Sequence, residues 1–230
     1  MPRHPRIQLV KEPLHVVQRG HNHNNCFIDR DDYFYYLDCL KESSQKYSVQ
    51  LHAYVLMPNH VQMLLTPIEH DGVSKMMQSI GRRYVQHFNH RYECYGTLWE
   101  GRFKSCLVDR DNYLFSCHRY IESNPVRKGL TSKAEKYEWS SHHFNANGRY
   151  DPIITPHTKY LDLAETDNER QQNYRTLFSK QMHNNELEFI RSSLNSNGVL
   201  GDDNFILFIE RSTNIRLEKG KAGRPPKNGE

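Results

Sequence analysis

Apolar periodicities in the order β-α-β-β-α-β, followed by one further helical pattern, predict an α+β fold: a ferredoxin-like βαββαβ sandwich with an antiparallel sheet. A Pro-Asn turn between two β-rich runs supports the antiparallel pairing. The 230 residues are 37% hydrophobic and 25% charged. Such a chain can bury one core and carry an appendage.

The first strand is the short run Leu14 to Arg19, ended by Gly20 and a polar Asn/His loop. From about Asp31 to Tyr47, apolar side chains at Phe34, Leu37, Cys39, Leu40 and Tyr47 recur without Gly or Pro, the pattern of an amphipathic helix entered through Asp. Val49 to Leu56 and His60 to Thr66 read as a hairpin around Met57-Pro58-Asn59. Val73, Met76, Met77, Ile80, Tyr84, Val85 and Phe88 mark a second helix up to about Asn89. A strand is expected from Leu98 to Val108. A third helix then enters through Asp109-Arg110-Asp111 and is stopped by Asn124-Pro125.

Residues 1–145 thus form the first unit. A polar linker around Asn145 to Pro152 leads into a mainly helical region, residues 146–210, with helical patches at Tyr174 to Lys180, Glu186 to Leu194 and Phe205 to Glu210. Residues 211–230 read as a basic flexible tail, because Arg211 to Lys227 carries six basic residues against the single acid Glu218.

The 31 Lys+Arg against 27 Asp+Glu leave +4, an excess that permits a nucleic-acid partner without requiring one. No run approaches the roughly 18 apolar residues of a membrane span, and Met1 to Arg6 lacks the apolar run of a secretory signal. A cytoplasmic protein with no membrane partner is the expectation. Cys26, Cys39, Cys94, Cys106 and Cys117 are odd in number and scattered without a C-x-x-C pair, so reduced structural thiols are expected rather than disulfides or a zinc site.

On a strand, i and i+2 share a face, so His60 and Gln62 project together beside the turn. An imidazole nitrogen with an amide oxygen suits magnesium or manganese better than a thiophilic ion, although any half-exposed strand can carry such a pair. On the third helix, Tyr120 and Asn124 are one turn apart and bring a phenol and a third oxygen ligand to one face. A phenol of ordinary pKa near 10 becomes a nucleophile when a cation or a base assists it. Tyr113, on roughly the same face, competes for that role, and most of the 14 tyrosines must simply pack.

Three blocks carry a family resemblance: Leu51-His52-Ala53-Tyr54-Val55-Leu56-Met57-Pro58-Asn59-His60-Val61-Gln62-Met63-Leu64-Leu65, then Leu98-Trp99-Glu100-Gly101-Arg102-Phe103-Lys104-Ser105, then Arg119-Tyr120-Ile121-Glu122-Ser123-Asn124-Pro125-Val126-Arg127-Lys128-Gly129-Leu130. They resemble the single-tyrosine HUH transposases, and among those the REP-associated tyrosine transposases, over roughly residues 5–145. The resemblance implies a catalytic domain that cuts and rejoins single-stranded DNA near REP-type hairpins with a divalent ion, Mg2+ or Mn2+, and no nucleotide cofactor. Tyr120 would form a 5′-phosphotyrosine, with His60, Gln62 and Asn124 on the metal. One tyrosine per chain implies either a homodimer or a monomer acting twice.

One position departs from the family pattern of His, bulky apolar, His: the third residue here is Gln62. An amide oxygen still ligates a hard cation, but as a weaker, neutral donor. A copy that binds DNA hairpins without cutting them is the alternative this residue raises. Trp99, Arg102, Phe103 and Lys104 interleave aromatic and basic groups on the strand before the tyrosine helix, a pattern suited to stacking bases and neutralising phosphates. Arg82, Arg83 and Arg127 are further phosphate candidates, with a solvated face the commoner meaning of an Arg pair. Arg224, within Gly223-Arg224-Pro225, resembles the core of an AT-hook that reaches a narrow minor groove, against the simpler reading of a disordered basic tail. His21-Asn22-His23 and His142-His143 are read as solvent-facing polar residues.

Overall fold

The structure, a computed structural model, describes residues 7–217. β1 (Leu14–Arg19), α1 (Arg30–Lys46), β2 (Val49–Met57), β3 (His60–Pro67), α2 (Gly72–Arg91), β4 (Lys104–Val108) and α3 (Leu114–Glu122) follow in the expected order. β1 lies between β3 and β4 and pairs antiparallel with both, while β2 pairs antiparallel with β3 at the edge. This is the ferredoxin-like α+β arrangement. Its helices begin where local chemistry allows: Asp29 accepts the backbone N–H groups of Asp31 and Asp32, and Asp32 reaches back to Asp29, a capping box that starts α1.

Alternation along the strands divides the core in two. Leu14, Val16, Val61, Met63 and Leu65 face α1 and α2, where they meet Tyr36, Leu40, Met76, Ile80 and Tyr84. Val17, Val55, Leu64 and Cys106 face the other way and pack on Cys117, Tyr120 and Ile121 of α3. His15, Gln62 and His60 stand on this second face, because they alternate with the first set.

Of the elements expected up to α3, two differ. The strand expected from Leu98 begins only at Lys104, since Gly101 holds φ +152°, a conformation other residues rarely adopt, and the preceding segment makes a single bridge, Gly20 to Trp99. Trp99 and Phe103 are therefore core residues, 5% and 6% exposed, and the Trp99 ring lies 5.9 Å from Tyr84. The third helix starts at Leu114 rather than Asp109, because the Asp109 carboxylate accepts hydrogen bonds from the Asp111 amide (3.0 Å) and the Asn112 side chain (2.7 Å) and holds a turn first.

After α3 come α4 (Asn124–Arg127), α5 (His142–Asn147), α6 (Thr158–Leu161), α7 (Asp167–Leu177), α8 (Asn184–Ser196), β5 (Val199–Leu200) and α9 (Asp203–Thr213). β5 extends the sheet by pairing parallel with β4, Leu107 with Val199 and Val108 with Leu200. Ile190 and Leu194 of α8 join the second face, and Ile209 of α9 joins the first. The residues after 145 are thus built into the sheet's edge and both its faces. The first three residues of the expected tail, Arg211 to Thr213, complete α9. No helix among the described residues is long and apolar enough to cross a membrane, and all five cysteines are free.

His142 is not solvent-facing. It is 7% exposed and its Nδ1 lies 2.9 Å from the buried Glu122 carboxylate, which also accepts from Ser141, Asn145 and Tyr174. A carboxylate taken out of water needs partners on this scale, so α5 and α7 are pinned to the end of α3.

Candidate functional site

The site forms where β1, β3 and the α3–α4 junction meet. The two-residue turn Pro58-Asn59 pairs Met57 with His60, so His60 opens β3 at the sheet's rim. Asn59 fixes the imidazole by placing Oδ1 2.8 Å from Nδ1, the arrangement in which Nδ1–H donates and Nε2 is left to accept. Gly20 allows the end of β1 to close on this turn: its N–H donates to the Asn59 carbonyl at 2.9 Å, and a Cβ there would stand 2.3 Å from the Asn24 carbonyl oxygen.

Two amides converge on His60 Nε2. The Gln62 side chain approaches at 3.1 Å and that of Asn124 at 2.9 Å. Gln62 is held in turn by His15, whose Nε2 is 3.0 Å from Gln62 Oε1. His15 sits one residue pair along β1, whose register matches His15 with Leu64 and Val17 with Gln62. It is fully buried, and its Nδ1 has no hydrogen-bond partner among the described residues.

Asn124 and Tyr120 reach this place by an interrupted helix. Pro125 has no N–H to continue α3, and the chain passes through Ser123 into α4. Arg127 folds back and donates from Nη2 to the Tyr120 carbonyl at 2.7 Å. Its guanidinium then lies 4.2 Å from the centroid of the Tyr120 ring, within cation–π range. A second contact is His15, whose ring meets Tyr120 edge-on at 5.6 Å. From α8, Arg191 donates to Glu188 at 2.6 Å, and Glu188 together with the nearby Tyr120 raises its pKa.

Burial, with positive charge second, keeps His60 neutral. Burial, followed by Arg19, Lys128 and Arg127, lowers His60 to about 4. Burial likewise lowers His15 to about 4, His118 to about 4 and His52 to about 3. All four lie below the ordinary 6.5, so the unfolded chain takes up protons that the folded chain refuses. Their contribution to stability is complete above about pH 6.5 and is lost as pH falls toward about 4. Melting temperature should therefore drop steadily between about pH 7 and about pH 5. A flat profile over that interval would contradict the burial of these rings in neutral form.

Among the described residues, no three His, Cys, Asp or Glu side chains cluster to hold a metal. The donor set at His60 is one imidazole and two amides. It fits a hard divalent ion, since a half-turn of either terminal amide presents oxygen beside Nε2, and amide orientation follows the hydrogen-bond network.

The remaining sequence candidates are dispersed. Lys104 donates to Asn195 at 3.0 Å, and Arg102 is exposed in the turn before β4. Arg82 and Arg83 sit on α2, on the face of the sheet away from His60, where Arg83 pairs with Glu42 at 2.7 Å. Arg224 lies outside the described residues. Tyr113, the rival to Tyr120, caps the start of α3 and packs its ring on Phe189 at 5.5 Å. Sequence reasoning missed His15 and Arg191. A histidine within an apolar strand was the only signal for the first, and the second lies in a region without a recognised block.

The family model described as "Transposase IS200 like" matches residues 10–124. No curated protein matches the chain. Among solved structures, the chain is similar to a REP-associated tyrosine transposase bound to a REP hairpin, with 18% identity and a TM-score of 0.56 over 68% of this chain and 93% of that one. A Deinococcus radiodurans protein described as a candidate transposase aligns at 19% identity and a TM-score of 0.37, over 51% of this chain and 98% of that one. With the family model spanning half of its length, and the fold and the His60 to Tyr120 neighbourhood as described, the chain belongs to the IS200-like transposases.

Proposed function

We propose that this protein cuts and rejoins single-stranded DNA at or near REP-type hairpins, using Tyr120 as nucleophile and a divalent ion, Mg2+ or Mn2+, at His60, Gln62 and Asn124. The observation that carries the reading is the α3–α4 junction, which sets Asn124 2.9 Å from His60 while the same junction's Arg127 holds Tyr120 by carbonyl and ring. The hairpin bound to the structural neighbour supports the substrate class.

Tyr120 Oη would attack the scissile phosphorus, losing its proton as the P–Oη bond forms. The P–O3′ bond breaks, and the 3′ oxygen takes a proton and leaves as a hydroxyl. The phosphotyrosine ester conserves the energy of the broken bond, so a 3′-hydroxyl can reverse the step without a nucleotide cofactor. A bound divalent ion would polarise the phosphoryl oxygens. His60 presents a neutral Nε2 for it and Asn59 fixes the tautomer, while the Gln62 amide would turn its oxygen from His15 toward the ion.

The test offers hairpins from the DNA flanking the gene, as single strands and as duplex, with Mg2+, Mn2+ or EDTA. Cleavage confined to single strands and abolished by EDTA is expected. Equal cutting of duplex, or cutting in EDTA, would refute the reading.

One observation favours a second role, hairpin binding without cleavage: Gln62 Oε1 is already engaged by His15. Gln62→His should tighten Mn2+ binding about tenfold by replacing an amide with imidazole. Tight hairpin binding by the wild type, with cleavage seen only in Gln62→His, would establish this second role.

A further inference from the structure

Beside the helix that carries Tyr120, a cleft of about 740 Å³ opens between the α3–α4 junction and the chain that follows α7. That volume falls within the roughly 300–1,000 Å³ of sites that take small molecules. Its lining is strongly basic: Arg119, Arg127, Lys133, Arg175 and Lys180 stand against the one acid Glu135.

These cations are poorly cancelled. Arg119 donates to the Lys180 carbonyl at 2.7 Å, with Glu186 only at 3.9 Å. Arg127 and Arg175 donate to the backbone carbonyls of Tyr120 and Ala146, which orient a guanidinium without neutralising it. Lys133 has Glu135 at 3.5 Å, and Lys180 has no ion-pair partner among the described residues. One wall is aromatic: Phe178 is half-buried, with its ring 4.7 Å from that of His142. A cluster of cations beside an accessible ring is the surface that unpaired nucleotides use, phosphate on the cations and base on the ring. Arg127 ties the cleft to the chemistry, since it lines the cleft and lies over the Tyr120 ring.

We infer that this cleft binds a nucleotide of the unpaired strand that adjoins the scissile phosphate, its phosphate held by Lys133, Arg175 and Lys180 and its base against Phe178. The inference rests on the single-strand reading above. It gives the region after residue 145 a role in holding substrate.

The test measures binding of the full-length protein, in EDTA to prevent cleavage, to a labelled G·C hairpin that is blunt or carries about six unpaired thymidines on its 5′ or its 3′ side. The charge reversals Lys133→Glu and Lys180→Glu are combined, both at exposed positions, and Phe178→Ala is measured separately. The double variant should bind one of the tailed hairpins about tenfold more weakly, with a log–log salt slope shallower by about 0.7 for each phosphate no longer neutralised. Its affinity for the blunt hairpin should not change. Phe178→Ala should weaken the same tailed hairpin with its salt slope intact. Equal losses on blunt and tailed DNA, or no loss on either, would overturn the cleft while leaving the single-strand reading standing. A wild-type protein with no preference for tailed DNA would overturn the reading and the cleft together.

Discussion

Tyr120→Phe should eliminate covalent protein–DNA product while leaving hairpin affinity within about twofold. The substitution removes one oxygen, and with it the only atom that can bond to phosphorus in the proposed step. Loss of a nucleophile costs at least ~10³-fold in rate. The ring itself stays: it is 8% exposed, edge-on to His15 at 5.6 Å and 4.2 Å from the Arg127 guanidinium, and phenylalanine preserves both contacts. Arg191, nearby on α8, keeps Glu188 at 2.6 Å, so stability should change by no more than about 1 kcal/mol. Denaturing gels of labelled hairpin incubated with each protein separate the outcomes. An adduct that survives the substitution would remove Tyr120 from the chemistry.

Glu122→Ala should be the most destabilising single change near the site. The carboxylate has no exposure and accepts from Ser141 Oγ at 2.6 Å, Asn145 Nδ2 at 2.8 Å, Tyr174 Oη at 2.8 Å and His142 Nδ1 at 2.9 Å. Burial pushes its pKa up, yet the His142 and Ser141 contacts outweigh that and hold it below the ordinary carboxylate value. Removing it strands four buried donors, at a cost of about 3–5 kcal/mol. For a chain of this length that is on the order of 10 °C in melting temperature. Because Glu122 lies two residues beyond Tyr120 and ties α3 to α5 and α7, cleavage should weaken as well. Thermal melts of Glu122→Ala and Glu122→Gln test this, with the amide expected to lose less. A shift under about 2 °C for the alanine variant would contradict the network.

The parts legible in the sequence are those set by local periodicity and by short-range spacing. Alternation and the 3.6-residue repeat located β1, α1, the β2–β3 hairpin and α2 to within a few residues, because each buries a regular face. His60 and Gln62 share a face by strand geometry alone, and Asn124 meets His60 because α4 prolongs α3 despite Pro125. What escaped depends on distant contacts. The two residues of β5 form a strand only because β4 offers an open edge, and His142 is buried only because Glu122 needs a partner. Trp99 and Phe103 carry the composition of a nucleic-acid surface, yet the turn at Gly101 directs them inward. His15 finds Gln62 through the β1–β3 register, a pairing no local pattern encodes.

The nucleophile can be identified directly by digesting the covalent complex with trypsin and locating the nucleotide mass. Cleavage after Arg110, Arg119 and Arg127 places Tyr113 in the peptide Asp111 to Arg119 and Tyr120 in the peptide Tyr120 to Arg127. A nucleotide on the second peptide, at Tyr120, is the predicted result. A nucleotide on the first peptide, or a cleaved hairpin with no modified peptide at all, would contradict Tyr120 as the residue that carries the DNA.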